Sequence, residues 1–424
     1  EIAQCLVGSE MCIRDRLAAS LMATSYYNEW EMDTMLGESV CLLGGGTFFF
    51  TICCILFSYV FCISRLNRSA KVELDFLKQA RMETFYVFSI IVALVGVVLK
   101  LYYMVAQFGA LGWAELIVAK RMDDWNGDDL LQIPFYVRQM GSYTSIVAYL
   151  TVWLLVIMSI SEKKNRRILR ILLIVHLMFT FVDGMLSGSK APILGIIMLF
   201  AVSFFFVFYA KRGNFNLSRK FFVRGLVVLV VLASLFRGLS MVIGRNVSER
   251  SNWDLLAEYC GAEIKNFDLY LQQNSKRRNS AIWGENTFHS FYSEINPNFE
   301  RENGEFQYVG DYILGNVYTQ FRPFHEDFGI VGIFTMCFFI AFISMFFYSR
   351  STCAFIEPTK INVYVFIYAS IAMSIFMSFF SSRFTESICR MGWIRSSIYL
   401  VVLVWFVKHY LITVSYTHLR AHET

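Results

Sequence analysis

Long apolar runs separated by short polar linkers make up most of the chain. Runs of about 20 residues, each enough to cross a bilayer as a helix, recur from residue 40 to residue 407. They are continuous and rich in Leu, Ile, Val and Phe, without the alternation of a barrel strand. The pattern therefore predicts an all-α polytopic membrane protein. Nine complete spans are expected, at residues 40–63, 84–105, 135–160, 171–186, 192–210, 225–243, 330–348, 361–380 and 394–407.

One long polar segment, residues 244–328, lies between the sixth and seventh predicted spans. Within it, residues 253–272 carry apolar side chains at the spacing of an amphipathic helix, which predicts a helix lying on the membrane face, with Gly261 as its weak point. The more polar part up to residue 310 is expected to form a folded cap or a mobile lid. The predicted organisation is an N-terminal bundle at 17–243, this large loop at 244–328, and C-terminal helices at 329–413.

The two ends of the chain fit no neighbouring pattern. Residues 1–16 and 414–424 resemble translated sequencing-adapter read-through and are interpreted as artefactual tails. Residues 17–28 are interpreted as the stub of a truncated first helix. On this interpretation the native protein has lost sequence at both ends.

Lys and Arg in the short linkers predict the orientation. The linkers after the first, third and fifth spans each carry five of these residues, whereas the short loops on the opposite side carry two or fewer. Short basic linkers face the cytoplasm. The large loop is therefore expected to lie outside the cytoplasm.

Composition narrows the classes of function. The chain is 56% hydrophobic and 17% charged, against about 45–50% apolar and about 25% charged in soluble domains. The net charge of +5 is explained by cytoplasmic anchoring charges rather than by nucleic acid. Because no Cys/His cluster has zinc-like spacing and no phosphate-binding glycine loop is present, we expect neither a metal nor a cofactor.

The densest group of titratable residues comprises Arg322, His325, Glu326 and Asp327, just before the seventh span. Glycosyl transfer needs a group that accepts the proton of the acceptor hydroxyl, and cations that stabilise a diphosphate leaving group. His325 or Asp327 is predicted to be the base, and Arg322 the leaving-group clamp. The alternative is a helix start, where Glu326 and Asp327 complement the helix dipole.

Four further cations flank the predicted outer membrane face. Arg245 and Arg250 follow the sixth span, Arg237 lies inside it, and Lys190 lies in the turn before the fifth. The planar fork of arginine suits diphosphate oxygens, so these residues are predicted to bind diphosphate or glycan. The alternatives are interfacial anchoring or pairing with Glu249 for Arg245 and Arg250, snorkelling for Arg237, and a solvated turn for Lys190.

Two other features have structural explanations. Arg383 and Arg390, in the last outward loop, are interpreted as interfacial charges more readily than as part of the same site. His176, inside the fourth span, is predicted to make a hydrogen bond between helices.

Three stretches together resemble a known family. They are SGSKAPIL before the fifth span, GRNVSERSNW after the sixth, and NVYTQFRPFHEDFGIVG before the seventh. Their order and the large outer loop are similar to those of bacterial oligosaccharide repeat-unit polymerases, the Wzy-type O-antigen and capsule polymerases. The resemblance covers most of the chain between the two tails. Its most specific part is Asp327 to Gly332 with the preceding Tyr318, Thr319 and Arg322. Arg250 and Gly261 also match an R-x10-G pattern noted in some of these enzymes.

The resemblance implies a metal-independent membrane glycosyltransferase of the bacterial cytoplasmic membrane, acting on its outer face. Its substrate would be an oligosaccharide linked to undecaprenyl diphosphate, and its products O-antigen, capsule or exopolysaccharide. Arg245, Arg250 and Arg322 are the positions onto which the family's outer-loop arginines carry over, and Tyr318 joins the substrate-binding set. Membrane lipid, a chain-length regulator and a flippase are the expected partners. The alternatives are an O-antigen ligase, which uses the same donor, or a lipid-linked oligosaccharide flippase.

Overall fold

The computed structural model describes residues 19–61, 79–126, 130–161, 166–189, 191–212, 238, 252–273, 282–296, 299, 306–310, 312–352 and 361–411. Of these residues, 81% are helical, and seven helices are long and apolar enough to cross a membrane. The prediction of a helical multi-pass membrane protein is confirmed at this level. The predicted sixth span apart from residue 238, the two predicted tails and the sites at Lys190, Arg237, Arg245 and Arg250 lie outside the described residues.

The helices follow in chain order. They are α1 (Gly37–Val60), α2 (Gln79–Phe108), α3 (Trp113–Asn126), α4 (Phe135–Ile160), α5 (Arg167–Met185), α6 (Ala191–Arg212), α7 (Asn252–Cys260), α8 (Ala262–Gln273), α9 (His289–Ile295), α10 (Phe321–Ser351), α11 (Val363–Phe376), α12 (Arg383–Ile388) and α13 (Met391–Phe406). One antiparallel hairpin, β1 (Gln307–Val309) with β2 (Tyr312–Gly315), interrupts the helices within the large loop. The sequence analysis did not predict it.

The seven long helices coincide with seven of the nine predicted spans. The predicted span at residues 361–380 is instead the shorter α11, continued by a 3₁₀ turn at Met377–Phe379. The remaining predicted span, residues 225–243, lies outside the described residues except at residue 238.

The chain divides into two compact units. One spans Glu1–Arg65, Arg250–Arg350 and Ser370–Arg395, and the other spans Leu66–Glu249, Ser351–Ala369 and Ser396–Thr424. We call them the loop unit and the bundle unit, because the first contains the described part of the large loop and the second contains α2, α4, α5 and α6 packed on one another.

A buried polar chain crosses three helices of the bundle unit. The His176 Nδ1 atom on α5 lies 3.1 Å from Thr151 Oγ1 on α4, which lies 3.3 Å from the hydroxyl of Tyr86 on α2. His176 and Thr151 are both fully buried. The predicted helix–helix hydrogen bond of His176 is therefore confirmed.

An ion pair also lies between two spans of the bundle unit. Lys100 Nζ on α2 is 2.9 Å from Asp183 Oδ1 on α5, and 3.2 Å from the Asp183 carbonyl oxygen. Both side chains are about five-sixths buried, at 17% and 16% exposure. Charges inside membrane spans are costly and usually pair with each other. The sequence analysis missed this pair.

In the loop unit, α1 and α10 pack through two rows of aromatic rings. The α10 row repeats at four-residue spacing, and the α1 row follows the same spacing except that Cys53 lies between Phe49 and Phe57, so the rings lie along one side of each helix. The contacts are Phe49 with Phe334, Phe57 with Phe338 and Phe342, and Phe61 with Phe342 and Phe346. At the head of α10, Phe321 and Ile333 pack directly over Gly46 of α1. This contact holds the first turns of α10 in place.

A variant pair tests the Lys100–Asp183 interaction. Replacing Asp183 by Leu leaves the Lys100 charge in apolar surroundings, and breaking a buried pair in this way costs about 3–5 kcal/mol. We expect a clear loss of Tm in detergent, followed by intrinsic fluorescence. The double variant Lys100→Met/Asp183→Leu removes both charges and should recover most of the loss. Equal Tm values for the single and double variants would show that the pair does not carry this stability.

Candidate functional site

The candidate site lies on the first turns of α10, which a break separates from the rest of the helix. Gly329 has φ 66° and ψ −158°, a backbone conformation that is open to glycine and strained for other residues. Residues 321–328 thus form a helical segment of their own, and the spanning part continues after the break. The break lies between residue 328, where the large loop is predicted to end, and residue 330, where the seventh span is predicted to begin.

Arg322 lies in a slot formed by two aromatic rings and a carboxylate. Its Nε donates a hydrogen bond of 2.8 Å to Glu326 Oε1, one helical turn further on. Its guanidinium carbon is 3.8 Å from the centre of the Tyr318 ring and 5.2 Å from that of Tyr270. A cation over aromatic faces is attracted by the negative charge of those faces. The guanidinium is therefore oriented before any ligand binds.

His325 contacts the same tyrosine. Its Nδ1 atom is 3.0 Å from the Tyr270 hydroxyl, and the two rings meet edge to face at 5.8 Å. Tyr270 is 5% exposed. Burial raises the pKa of its phenol well above the ordinary value, and the charges of Glu326 and Asp327 act in the same direction. The sequence analysis did not single out Tyr270, which connects the arginine to the histidine.

Asp327 ties a loop to α10. Its carboxylate accepts hydrogen bonds from the Thr287 backbone N–H at 2.6 Å, and from the side chain and backbone N–H of Asn286 at 2.9 and 3.3 Å. Thr287 Oγ1 in turn donates to the Pro323 carbonyl oxygen at 3.2 Å. The loop at residues 282–288 is thereby fixed against the segment that carries His325.

Hydrogen bonds from the hairpin and from α8 hold Tyr318 and the residues just before it. Gln307 on β1 donates from Nε2 to the Tyr318 hydroxyl at 2.9 Å. Asn266 on α8 donates from Nδ2 to the carbonyl oxygens of Leu314 and Val317, at 3.1 and 2.7 Å. The ring that stacks on Arg322 is therefore positioned by the neighbouring hairpin, and the chain just before it is held by the more distant α8.

The predicted interfacial helix at residues 253–272 is two helices. They break at Gly261, where a Cβ atom would lie only 2.9 Å from the backbone nitrogen of Ala23. This close approach accounts for the glycine of the R-x10-G pattern without a ligand. α8 is also buried on nearly all sides, so the prediction that it lies on the membrane face is wrong.

The burial of α8 is explained by its charged side chains, which find partners inside the loop unit. Lys265, 1% exposed, donates to the Glu31 carbonyl oxygen at 2.7 Å and to Thr34 Oγ1 at 2.8 Å. The hydrophobic pattern does not reveal such partners, because they lie more than 200 residues away in the sequence.

The two late arginines each have an acidic partner. Arg383 lies 3.2 Å from Glu386 on α12, and Arg390 lies 3.1 Å from Glu294 on α9. These pairs are consistent with the structural interpretation of both residues. Within the described ranges, no three His, Cys, Asp or Glu side chains converge as a metal site.

Fold and site together define a multi-pass helical membrane protein with an arginine–histidine–tyrosine cluster at the head of one spanning helix. Comparison of the chain with models of known protein families, with curated proteins and with solved structures found no match. The resemblance to the repeat-unit polymerases thus stays a prediction.

The Asp327 tether is testable by hydrogen exchange. Asp327→Asn removes the charge from three hydrogen bonds, each of which is worth about 1.5–3 kcal/mol when one partner is charged. We expect the peptide covering residues 282–296 to exchange its amide hydrogens faster. Asp254→Asn on α7, whose partner is the Tyr26 hydroxyl, is the matched control and should leave that peptide unchanged. Unchanged exchange in Asp327→Asn would contradict the tether.

Proposed function

We propose that this protein is a membrane-embedded glycosyltransferase that polymerises undecaprenyl-diphosphate-linked oligosaccharide repeat units. The product would be O-antigen, capsule or exopolysaccharide, formed on the outer face of the bacterial cytoplasmic membrane. The observation that carries the proposal is the pre-oriented Arg322 beside His325 at the head of a spanning helix. The diphosphate of a membrane lipid lies at this depth, between the apolar chain and the aqueous sugar. The sequence resemblance supports the same activity.

Arg322 would hold the diphosphate. In the reaction, the acceptor hydroxyl oxygen bonds to the anomeric carbon, the bond from that carbon to the diphosphate oxygen breaks with its electron pair staying on the diphosphate, and the hydroxyl proton passes to the departing diphosphate. Negative charge therefore develops on the departing diphosphate. A fixed guanidinium stabilises that charge without having to reorganise during the reaction. Its contacts with Glu326 and Tyr318 supply this rigidity.

We assign to His325, rather than to Asp327, the contact with the oxygen atoms that take part in the reaction. Three donors from the loop at residues 282–288 already bind the Asp327 carboxylate. The His325 ring is partly exposed and lies one turn from Arg322 on the same segment. Asp327 then serves as a positioning residue that keeps the loop beside the site.

A second candidate is a flippase for the same lipid-linked oligosaccharides. The observation in its favour is the Lys100–Asp183 pair between two spans, because transporters place ionisable residues on their substrate pathways. An O-antigen ligase is the nearest enzymatic alternative, since it takes the same donor to a different acceptor.

The primary test is glycan laddering in a host that lacks its polymerase and supplies the matching repeat unit. We expect the parent protein to restore a ladder, and Arg322→Lys to lose at least about 100-fold of the polymer, the typical loss when one transition-state donor is removed. Lysine keeps the charge but lacks the planar fork. Arg350→Lys, at the other end of α10 over Phe346, is the matched control and should keep the ladder.

Membrane levels of each variant must be equal for the comparison to count. A normal ladder from Arg322→Lys would remove Arg322 from the site. A parent protein that reaches the membrane but yields only single repeats on the core would contradict polymerisation, and the flippase and ligase assays would then decide between the remaining candidates.

A further inference from the structure

The contact between Tyr270 and His325 restricts where the imidazole carries its proton. The Tyr270 hydroxyl is buried, and within the described part of the chain its hydrogen-bond partner is His325 Nδ1, at 3.0 Å. A buried tyrosine hydroxyl normally donates its hydrogen to a partner. Donation to any atom other than Nδ1 would require an acceptor beyond the described residues.

The phenol is also held in its neutral form. Burial, followed by the charges of Glu326 and Asp327, raises the Tyr270 pKa, and the nearby Arg322 opposes this only in part. The hydroxyl therefore keeps its hydrogen throughout the physiological pH range. A neutral imidazole has one protonated and one unprotonated nitrogen. If Nδ1 accepts the phenol hydrogen, the ring proton must be on Nε2.

We propose that Tyr270 is a positioning residue that holds His325 in the tautomer with its proton on Nε2, so that His325 meets a diphosphate oxygen as a hydrogen-bond donor. The nature of the oxygen rests on the proposed function, whereas the tautomer rests on the Tyr270 contact alone. His325 is thereby removed from the role of base that the sequence suggested.

Nε2–H and the Arg322 guanidinium then form a pair of donors suited to one anion. Residues 322 and 325 are three apart on a helical segment, which places them on the same side. Charge-assisted bonds to phosphate oxygens are the strongest that such donors make. As the glycosidic bond breaks, the electron pair stays on the departing diphosphate, and the hydroxyl proton passes to that diphosphate. Both donors stabilise the departing group as its charge grows.

Each acidic neighbour on this segment makes a contact of its own. Glu326 binds Arg322 through Nε, and the Asp327 carboxylate is turned to Asn286 and Thr287. Tyr270 on α8 faces the imidazole, and Tyr318, which lies just before α10, faces the guanidinium. The two donors are thus positioned by Tyr270, Tyr318 and Glu326.

Nitrogen NMR of the imidazole tests the tautomer directly. The whole protein is labelled with ¹⁵N-histidine in lipid nanodiscs, and the His325 signals are assigned by their loss in His325→Gln. In the parent protein above the imidazole pKa, we expect Nε2 to be protonated and Nδ1 to be unprotonated. The reverse pattern in the parent protein overturns the inference without any variant. This readout needs no enzymatic activity, so its outcome is separate from that of the proposed function.

Two variants then test the cause. Tyr270→Phe keeps the ring and removes the hydroxyl, and we expect the His325 tautomer to become mixed or to reverse. Tyr292→Phe, whose hydroxyl donates to the Trp283 carbonyl oxygen, is the matched control in the same unit and should leave the tautomer unchanged. An unchanged tautomer in Tyr270→Phe overturns the role of Tyr270.

The ligand class is tested with inorganic diphosphate and with a short polyprenyl diphosphate in the nanodisc. We expect both to shift the Nε2 signal in the parent protein, with the lipid-linked form acting at a concentration at least tenfold lower. A shift by inorganic diphosphate at equal or lower concentration points to a soluble anion and overturns the lipid assignment. No shift with either compound overturns the diphosphate contact, even if the tautomer is as proposed.

Discussion

A buried carboxylate on α8 fixes the arrangement on which the candidate site depends. Asp268 accepts hydrogen bonds from the Leu36 backbone N–H at 2.9 Å and from Ser39 Oγ at 2.6 Å, at the first turn of α1. The first backbone N–H groups of a helix have no partner within the helix. Leu36, the residue before α1, has an apolar side chain that cannot accept a hydrogen bond from them. A carboxylate from another helix takes over that role and complements the helix dipole. Because Asp268, Asn266 and Tyr270 lie on one helix, the same contact determines where Tyr270 meets His325.

The cost of burying these groups explains why the loop has a defined interior. Lys265 lies 3.6 Å from Asp268, and both are almost completely buried. A buried charge without partners is strongly destabilising, so α8 is stable only where Glu31, Thr34 and Leu36 are in place. The apolar cluster beside it contains Ala23, Trp30, Ala257, Ala262, Val309 and Leu314. The contacts of α8 with the residues before α1 therefore keep Tyr270 in position.

The sequence predicts the spans well because a run of apolar residues is a local property. It also places His176, since a histidine in a span needs a neighbouring helix. It misses Lys100 and Asp183 because a single charge changes the average hydropathy of a span very little. Each of the two residues is a charge within an apolar run, and this signal could have revealed the pair.

The site itself is only half visible in the sequence. Arg322 and Glu326 are one helical turn apart, so their contact follows from spacing. Tyr270 is separated from His325 by 55 residues, and only the fold brings them together. A tyrosine on the buried side of a predicted helix, which needs a partner for its hydroxyl, is the available signal. The contact between Asp327 and Asn286, which are 41 residues apart, is likewise made only by the fold.

The alternative explanation of the cluster, a helix start, can now be weighed against the geometry. It accounts for acidic residues near Gly329, where the spanning part of α10 begins. It does not account for a guanidinium 3.8 Å from one tyrosine ring and facing a second, nor for an imidazole joined to that second tyrosine. Dipole complementation needs charge alone, whereas these contacts fix the direction of each donor. Donors of fixed direction stabilise charge that appears at one place during a reaction. The geometry therefore favours an anion-binding site over a helix start as the explanation of the cluster.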